Sequence, residues 1–473
     1  MGKSRRKTII HEKLVITDIA SEGKAIARLD DLVVFVTNCI PGDVVDVRIQ
    51  KKQKNFQEGI PTRFHQLSPL RTDAFCSHFG TCGGCKWQSL PYSKQLEFKQ
   101  KQVADQFARI GHLQFPEIEQ ILPSEKTIHY RNKLEFTFSN LRWLTAEEIN
   151  LDEPYGREAL GFHVPRMFDR IVDIDTCYLQ KEPSNELRLF IKRRAQELNI
   201  AFYNQRTHEG EIRNLIVRTS TTNQLMLIVV FAAIDDTKRE ALLSSIHTHY
   251  PDITSLNYVI NTKRNDSIHD LDVVNYAGMP YILEQMEERE FRIGPKSFYQ
   301  TNSEQAYELY KKVRDFAGLT GQEVLFDLYA GTGTIGLFLA DRAKVVVGIE
   351  YVPEAIEDAK INAELNQIEH AHFYAGDIKD LLTPIMTQHG KPDVVVVDPP
   401  RAGLHKDVAE TLLTTDAKTL VYVSCNPATQ ARDLEILCQN YRIEKVQPVD
   451  MFPHTHHVEN IVLLKKMDTF EKP

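Results

Sequence analysis

A cysteine near the carboxyl end of the sequence is the first residue whose surroundings suggest chemistry. Cys425 follows the apolar, β-branched residues 419–423, which predict a buried strand, and it precedes Asn426 and Pro427, a pair typical of a loop. A thiol in this place lies at the carboxyl end of a strand, where open α/β sheets bind their ligands. A lone cysteine is more often a small buried hydrophobic residue, so its neighbours must decide between the two interpretations.

A glycine-rich segment upstream of this cysteine predicts a turn that holds a nucleotide-like cofactor. Gly331, Gly333 and Gly336 have the spacing G-x-G-x-x-G and lie between a predicted strand (324–329) and a predicted helix (335–341). Glycines at these positions let a ligand approach the backbone closely. Alone, the motif is a weak signal, because NAD and S-adenosylmethionine fit it equally well.

Three acids that follow successive strands narrow the choice of cofactor. Glu350 ends the predicted strand 345–350, where a carboxylate can bind both hydroxyls of a ribose. Asp377 follows a third strand and suits an adenine amino group, and Asp398 begins the rigid sequence Asp-Pro-Pro-Arg after a fourth. A methyltransferase needs such an acidic corner to present its acceptor, whereas a nucleotide oxidoreductase does not. The pattern therefore favours S-adenosylmethionine.

Methylation of uracil at C5 gives the cysteine a role. C5 is a poor nucleophile. Addition of the Cys425 thiolate to C6 produces an enolate, and the enolate makes C5 nucleophilic. A base must then remove the C5 proton so that the cysteine can leave, and Glu459, just before the predicted strand 460–464, is placed to do so. Asp398 is expected to hold the uracil edge and Arg401 to stabilise the enolate charge.

A second group of cysteines predicts a metal site. Cys76, Cys82 and Cys85 have the spacing C-x5-C-x2-C within a glycine-rich stretch that can curl around a common centre. Cys177 is the candidate for a fourth ligand. Four thiolates suit either structural zinc or a [4Fe–4S] cluster, and the chemistry of the ligands does not choose between them.

The elements that position these groups fall into three predicted domains of a multidomain α/β protein. Residues 1–65 contain four short strand-like runs between turn signals (14–17, 25–29, 32–36 and 43–49), the pattern of a small OB-like β-barrel. Residues 66–290 mix helices and strands in a central α+β domain that contains the four cysteines. Residues 291–473 alternate strands and helices, which is typical of a Rossmann-like, doubly wound parallel sheet.

Helix signals in the central domain are clear in three places. A helix is predicted over residues 93–109, with Ser93 as its N-cap and Gly111 as its stop signal. Further helices are predicted over 182–198 and 237–247. Strands are also predicted in this domain, over residues 213–219 and 225–231.

Charge and composition point to a polyanionic partner for one part of the chain. The 473 residues carry a net charge of -8, yet residues 1–70 contain 12 Lys and Arg against 8 Asp and Glu. An acidic body with a basic arm suits local binding of nucleic acid. The predicted RNA-contacting residues are Lys51, Lys52, Lys54, Arg131, Asn132 and Lys133.

Other composition signals favour an ordinary globular protein. Apolar content is 42%, and no apolar run approaches the roughly 20 residues that span a bilayer. The basic start of the chain is not followed by an apolar signal-peptide core. A cytoplasmic monomer that does not associate with membranes is therefore expected.

Several segments in order resemble the RNA uridine-5-methyltransferase family, and the amino-terminal strands resemble the TRAM domain, an OB-like RNA-binding barrel. The family segments are Ser297-Phe-Tyr-Gln300-Thr-Asn302, Asp327-Leu-Tyr-Ala-Gly-Thr-Gly-Thr334, Asp398-Pro-Pro-Arg-Ala-Gly403, Ser424-Cys-Asn-Pro427 and His456-His-Val-Glu459-Asn. The TRAM-like segments are Gly23-Lys-Ala-Ile-Ala-Arg28 and Ile40-Pro-Gly-Asp-Val-Val45. With the four cysteines, the sequence is most similar to the branch that modifies 23S ribosomal RNA.

This resemblance implies a class I methyltransferase domain, Cys425 as nucleophile, Glu459 as proton acceptor, and a [4Fe–4S] cluster on the four cysteines. It also implies a set of S-adenosylmethionine-binding residues: Gln300, Tyr329, Gly331, Thr334, Glu350, Asp377 and Asp398. Tyr329, Ala330 and Thr334 replace the commoner Phe, Cys and Asn of the glycine-rich turn. These mild departures leave the cofactor assignment intact.

Three alternatives remain at this point. The first is a tRNA uridine-5-methyltransferase with the same mechanism. The second is an amino-directed methyltransferase, but such enzymes place an aromatic residue where this sequence has Arg401, and they need no Cys425. The third is a non-catalytic RNA-binding or iron–sulfur redox protein, which would leave Cys425 and Glu459 without a function.

Overall fold

The computed structural model describes residues 9–150 and 156–467. The basic residues 1–8, which contribute to the charge of the predicted RNA-binding arm, lie outside that part of the chain. Within the described ranges, no helix combines the length and the apolar character that a membrane crossing requires.

The amino-terminal strands close into a five-stranded barrel in the order β1-β2-β3-β5-β4. The strands are β1 (Ile10–Ile19), β2 (Ala25–Leu29), β3 (Leu32–Val36), β4 (Val44–Lys52) and β5 (Phe56–Gln66). Val34, Val36, Val45 and Val47 are fully buried, so alternate residues of β3 and β4 fill the interior. The barrel confirms the predicted OB-like architecture. The sequence had indicated four strands, and the additional β5 contains Pro61 and many polar residues, which weaken the strand pattern.

The central part of the chain forms a seven-stranded sheet in the order β12-β11-β10-β9-β6-β7-β8. Its strands are β6 (Lys133–Ser139), β7 (Ala159–His163), β8 (Ile171–Asp173), β9 (Ile212–Thr219), β10 (Leu225–Phe231), β11 (Ser255–Ile260) and β12 (Val273–Gly278). The helices are α1 (Tyr92–Arg109), α2 (Ala146–Ile149), α3 (Ser184–Glu197) and α4 (Asp236–His249). A two-stranded sheet follows, formed by β13 (Ile282–Met286) and β14 (Arg289–Ile293).

The predicted helices occur in the central region, but α1 begins differently from the expectation. Its first residue is Tyr92, and Pro91 occupies the N-cap position. Ser93 therefore lies inside the first turn and is not the cap. The prediction was wrong because the helix starts two residues earlier, directly after Pro91, whose fixed φ restricts the backbone there. Helix α4 is capped by the side chain of Asp235, which accepts from two backbone N–H groups.

The carboxyl-terminal region is a seven-stranded sheet in the order β17-β16-β15-β18-β19-β21-β20, flanked by helices. The strands are β15 (Val324–Leu328), β16 (Val345–Glu350), β17 (Ala371–Ala375), β18 (Val394–Val397), β19 (Thr419–Ser424), β20 (Tyr441–Val449) and β21 (Glu459–Lys466). The helices are α5 (Ser303–Ala317), α6 (Thr334–Leu339), α7 (Pro353–Leu365), α8 (Ile378–His389), α9 (Lys406–Thr414) and α10 (Pro427–Leu437).

The central strands of this sheet are buried on both faces, which explains why a strand such as β18 is apolar throughout. In β18, Val394 and Val396 join the core on one face, and Val395 and Val397 join the core on the other. The first five strands of the order run parallel, and β21 is antiparallel to both of its neighbours. The carboxyl ends of the parallel strands therefore meet at one edge, together with the amino end of β21.

Candidate active site

The register between β19 and β21 brings the two main candidate residues together. Ser424, the last residue of β19, pairs with Asn460, the second residue of β21. Cys425 therefore follows β19 at the same sheet edge where Glu459 begins β21. The neighbouring strand β18 ends at Val397, so Asp398 lies at this edge as well. Three residues far apart in sequence are thus brought to one place by the sheet.

The loop that contains Cys425 is fixed by hydrogen bonds to the segment that contains Arg401. Asn426 caps α10, since its side chain accepts from the Ala428 N–H at 3.2 Å. Its Nδ2 donates to the Arg401 carbonyl at 3.0 Å, and Thr429 Oγ1 donates to the same oxygen at 3.2 Å. The backbone of Arg401 is therefore held against the turn that contains the thiol.

Burial raises the pKa values of all three acidic groups at this edge, and repulsion by neighbouring carboxylates adds to the shifts of Cys425 and Glu459. The pKa of Cys425 is raised to about 12 by burial and by the charges of Glu459 and Asp398, and Arg401 opposes this shift. Burial, with Asp398, raises the pKa of Glu459 to about 8. Burial raises the pKa of Asp398 to about 7. Two carboxyls that titrate near neutral pH beside a thiol are suited to proton transfer.

A histidine-containing loop between β20 and β21 closes one side of the site without adding charge. His457 Nδ1 lies 3.4 Å from an Arg401 guanidinium nitrogen. Burial, with the neighbouring cations, lowers the pKa of His457 to about 4. The pKa of His456 is lowered to about 2, mainly by burial. Both imidazoles are therefore neutral near pH 7, and Arg401 is the cation that faces Cys425 and Glu459.

The glycine-rich turn and the end of β16 form the predicted cofactor cradle. Glu350 Oε2 accepts from the Gly331 N–H at 3.1 Å, so the carboxylate lies directly against the turn. Tyr329 and Gly333 adopt positive φ angles of 64° and 77°, which produce the sharp change of direction before α6. Thr334 is buried at the first position of that helix. This geometry presents backbone N–H groups and an acid to a bound ligand.

Asp327 is a site residue that the sequence reasoning did not select. Its Oδ2 accepts from the Gly336 N–H at 2.8 Å, whereas its buried Oδ1 has no hydrogen-bond partner within the described chain. Burial raises the pKa of Asp327 to about 7. An orphaned carboxylate oxygen behind the glycine-rich turn fits a cationic group of a cofactor, such as the amino group of S-adenosylmethionine. The signal was available, since Asp327 is a lone acid in the otherwise apolar strand that leads into the turn.

Two further residues that were predicted to bind the cofactor make hydrogen bonds within the protein. The backbone carbonyl of Gln300 accepts from Asn132 Nδ2 at 2.9 Å, and that amide also donates to Ser303 Oγ at 2.7 Å. Asn132 therefore fixes the segment that contains Gln300. Asp377 caps α8 by accepting from the Lys379 N–H at 3.1 Å.

The four predicted ligand cysteines line a single pocket. Burial raises the pKa of Cys82 to about 12, and the charges of the other three cysteines add to the shift. His78 accepts from the Asp175 N–H at 3.0 Å and so connects the glycine-rich cysteine segment with the segment around Cys177. No three Cys, His, Asp or Glu side chains of residues 9–150 and 156–467 are grouped closely enough for a single metal ion.

The remaining predicted RNA contacts lie on the surface or at its margin. Lys51, Lys52 and Lys54 are exposed on the barrel, and Lys51 Nζ lies 5.7 Å from the centre of the Phe56 ring. Arg131 stacks on the Phe452 ring of the β20–β21 loop at 5.0 Å. Burial and the charge of Arg218 lower the pKa of Lys133. These positions stay predictions for RNA binding.

Two family descriptions match this chain. Residues 220–467 match the tRNA (Uracil-5-)-methyltransferase family, and residues 13–62 match the TRAM domain. An uncharacterized RNA methyltransferase of Bacteroides thetaiotaomicron is 56% identical over 452 residues, covering 94% of this chain and 100% of the relative. Another from Clostridium acetobutylicum is 38% identical and covers 96% of this chain and 97% of the relative.

A solved structure is similar over nearly the whole chain. The crystal structure of a Pyrococcus abyssi tRNA (uracil-54, C5)-methyltransferase in complex with S-adenosyl-L-homocysteine matches with a TM-score of 0.74. The sequences are 30% identical, and the match covers 96% of this chain and 100% of the other. The match therefore extends over all three regions of the fold described above.

Proposed function

The chain belongs to the family of S-adenosylmethionine-dependent RNA (uracil-5-)-methyltransferases, and we propose that it methylates C5 of a specific uridine in 23S ribosomal RNA through a covalent cysteine adduct. The observation that supports this mechanism best is the meeting of Cys425 and Glu459 at the paired ends of β19 and β21. A nucleophile and a base at one sheet edge are what activation at C6 and proton removal at C5 require.

The first step joins the thiol to the base. Sγ of Cys425 forms a bond to uracil C6, the C5–C6 π electrons move to the O4 oxygen, and the thiol proton passes to Asp398. Because burial raises the pKa of Asp398 to about 7, this carboxyl exists in both protonation states near neutral pH. Once protonated, it can donate a hydrogen bond to the enolate oxygen, and Arg401 stabilises the remaining negative charge.

The second and third steps transfer the methyl group and release the enzyme. C5 of the enolate attacks the sulfonium methyl, the sulfur–methyl bond breaks, and S-adenosylhomocysteine is left as a neutral thioether. The carboxylate of Glu459 then takes the C5 proton, the C5–C6 double bond re-forms, and the C6–Sγ bond breaks to return the thiolate. The target base must be flipped out of its stack, since C6 is otherwise shielded from the thiol.

The four cysteines support a further proposal, a [4Fe–4S] cluster. Cys76, Cys82, Cys85 and Cys177 line one pocket, so their thiolates can serve a common centre. The resemblance to the iron–sulfur branch of the family favours a cluster over structural zinc. When bound, the cluster would cross-link the two cysteine segments. Anaerobic purification should yield about four iron and four sulfide per chain, and one zinc with no sulfide would contradict the proposal.

Two substrates are supported by different observations. The TRAM barrel together with the four cysteines supports 23S ribosomal RNA, and either substrate would place the enzyme in the cytoplasm. Transfer RNA is the second candidate, because the similar Pyrococcus abyssi structure is that of a tRNA enzyme. An amino-directed reaction is less suited to the site, since Cys425 would have no role in it.

A denaturing gel-shift tests the reaction and the substrate together. The protein is incubated with S-adenosylmethionine and with 23S fragments or tRNA that contain 5-fluorouridine. Fluorine at C5 prevents proton removal, so a reaction through Cys425 stalls as a covalent complex. We expect a shifted band that is lost in Cys425→Ala and kept in Cys438→Ala, a matched control at another partly buried thiol. No band with any RNA would contradict the mechanism.

A further inference from the structure

The loop that leads to Glu459 is held from one side by buried polar residues of α1. This β20–β21 loop comprises residues 450–458 and joins the last residue of β20 to the first residue of β21. Its backbone is tied to α1 and to the segment that follows Cys85. The helix comes from a distant part of the sequence, so the contact is not a consequence of local chain geometry.

Gln95 makes the first set of bonds. Its side chain is fully buried, and its Oε1 accepts from the His454 N–H at 2.8 Å. Its Nε2 lies 3.1 Å from His454 Nδ1 and donates to the carbonyls of Trp87 and Leu90. One glutamine therefore joins the middle of the loop to the segment before α1.

Lys99 makes the second set of bonds one helical turn later. Its Nζ donates to Asp450 Oδ1 at 2.5 Å and to the Phe452 carbonyl at 3.1 Å, and both charged side chains are fully buried. The same Asp450 oxygen accepts from the Phe452 N–H at 3.1 Å. Residues four apart lie on one face of a helix, so Gln95 and Lys99 bind the loop side by side.

The other end of the loop contacts the reacting groups. His457 lies beside the guanidinium of Arg401, and Arg401 faces both Cys425 and Glu459. His456 packs on the glycine turn of the barrel, where a Cβ on Gly23 would come within 2.9 Å of the His456 Cβ. A shift of the loop would therefore move the groups that surround the base.

We propose that Gln95 and Lys99 are positioning residues that hold the β20–β21 loop, and through it Arg401 and Glu459, in the arrangement needed to remove the C5 proton. This inference rests on the proposed function. A buried ion pair is weak evidence for stability, because the cost of desolvating both charges offsets their attraction. A fully buried lysine and aspartate beside a catalytic loop are better explained by the geometry that they impose.

The test uses variants that relax the loop without leaving a lone buried charge. The double variant Lys99→Met with Asp450→Asn neutralises both partners at similar volume. Gln95→Leu removes the other set of bonds and gives an independent variant if the double variant does not fold. Each full-length protein is assayed for S-adenosylmethionine binding, for RNA binding, for kcat and KM, and for a covalent complex with ordinary uridine RNA on a denaturing gel.

We expect kcat to fall about 10- to 100-fold and KM for RNA to fall with it, so that kcat/KM and both binding affinities stay within about twofold of the native values, because a misplaced base slows only the proton removal that follows methyl transfer. The methylated adduct should then accumulate on ordinary uridine RNA, a result that a merely structural role would not produce. Lys101→Met is the matched control on the same helix. Lys101 pairs with Asp18 and Asp105 at the surface, so its loss should change none of these quantities.

The outcomes separate the inference from the proposed function. If the native enzyme forms the adduct with 5-fluorouridine RNA, but folded variants show native kcat or lose activity without accumulating the adduct, the positioning role is wrong. If the native enzyme forms no adduct with any 5-fluorouridine RNA, the proposed function fails and this inference fails with it. Accumulation in both α1 variants and not in Lys101→Met supports the proposal.

Discussion

Among single side chains, we expect Glu459, the proposed base, to determine how the site responds to pH. Burial and the charge of Asp398 raise its pKa to about 8, and only the ionised form can accept the C5 proton. The rate of proton removal should therefore rise about tenfold per pH unit below pH 8 and level off above it. The decay of the methylated adduct in Gln95→Leu, a variant in which this adduct is expected to accumulate, measures this rate between pH 6 and 9.5. A rate independent of pH across that range would contradict the assignment of Glu459 as the base.

The same raised pKa has a consequence for stability, with a defined sign. The folded protein keeps a proton on Glu459 up to about pH 8, whereas the unfolded chain loses it near pH 4.5. Stability from this group is therefore fully present below about pH 4.5 and is lost as the pH rises to 8. Glu459→Gln should then unfold at a higher denaturant concentration than the native protein at pH 9, with no such difference at pH 4. The difference should be on the order of a few kcal/mol.

For single residues, the sequence was most informative where the proposed chemistry requires a particular residue type. Cys425, Glu459 and Asp398 were selected as candidates because each directly adjoins a strongly apolar strand. Gln95 and Lys99 were not, because glutamine and lysine in an amphipathic helix normally lie on its solvated face. Only the tertiary structure shows that the partners Asp450 and His454 cover them.

Among the secondary-structure elements, the turn from β15 into α6 depends on a glycine. Gly333 has a φ of 77°, and a Cβ there would lie 3.0 Å from the Phe373 ring and 3.1 Å from the Ala359 Cβ. Gly333→Ala should reduce the free energy of unfolding by about 1–3 kcal/mol and weaken S-adenosylmethionine binding about tenfold, because the turn must shift to relieve both strain and contact. Chemical denaturation and calorimetric titration measure the two effects.

Gly390→Ala separates the effect of backbone strain from the effect of side-chain contact. Gly390 has a φ of 87° at the end of α8, and a Cβ there would meet no atom within 4 Å. Gly390→Ala should reduce the free energy of unfolding as Gly333→Ala does, but it should keep the native affinity for S-adenosylmethionine. Equal weakening of S-adenosylmethionine binding in both variants would show that the packing around Gly333 does not shape the cradle.

Secondary-structure elements were predicted most accurately where the hydrophobic pattern of the sequence is regular. The parallel strands β15, β16 and β18 are apolar on both faces and were predicted nearly to their ends. The start of α1 was misplaced, and β5 was missed because polar residues interrupt its pattern. The antiparallel insertion of β21 between β19 and β20 has no sequence signal, yet it places Glu459 beside Cys425.

Considered as a whole molecule, the barrel packs directly against the loop that leads to the proposed base. Gly23, between β1 and β2, packs on His456 of the β20–β21 loop and on the Trp87 indole. Lys86 Nζ donates to the Glu22 carbonyl at 3.1 Å, across the same contact. The predicted RNA-binding unit therefore touches the loop that leads to the base, a contact that no local pattern in the sequence indicates.

This contact predicts that a single methyl group in the barrel will impair the reaction. In Gly23→Ala the added Cβ would lie 2.9 Å from the His456 Cβ, so the barrel or the loop must move. We expect kcat/KM for RNA to fall at least about tenfold while S-adenosylmethionine affinity stays native, because the cradle lies on other strands. Gly321→Ala is the control, since its φ of 96° imposes similar strain where a Cβ would meet nothing within 4 Å. Native kcat/KM in Gly23→Ala, or an equal loss in Gly321→Ala, would show that the barrel binds RNA without influencing the catalytic loop.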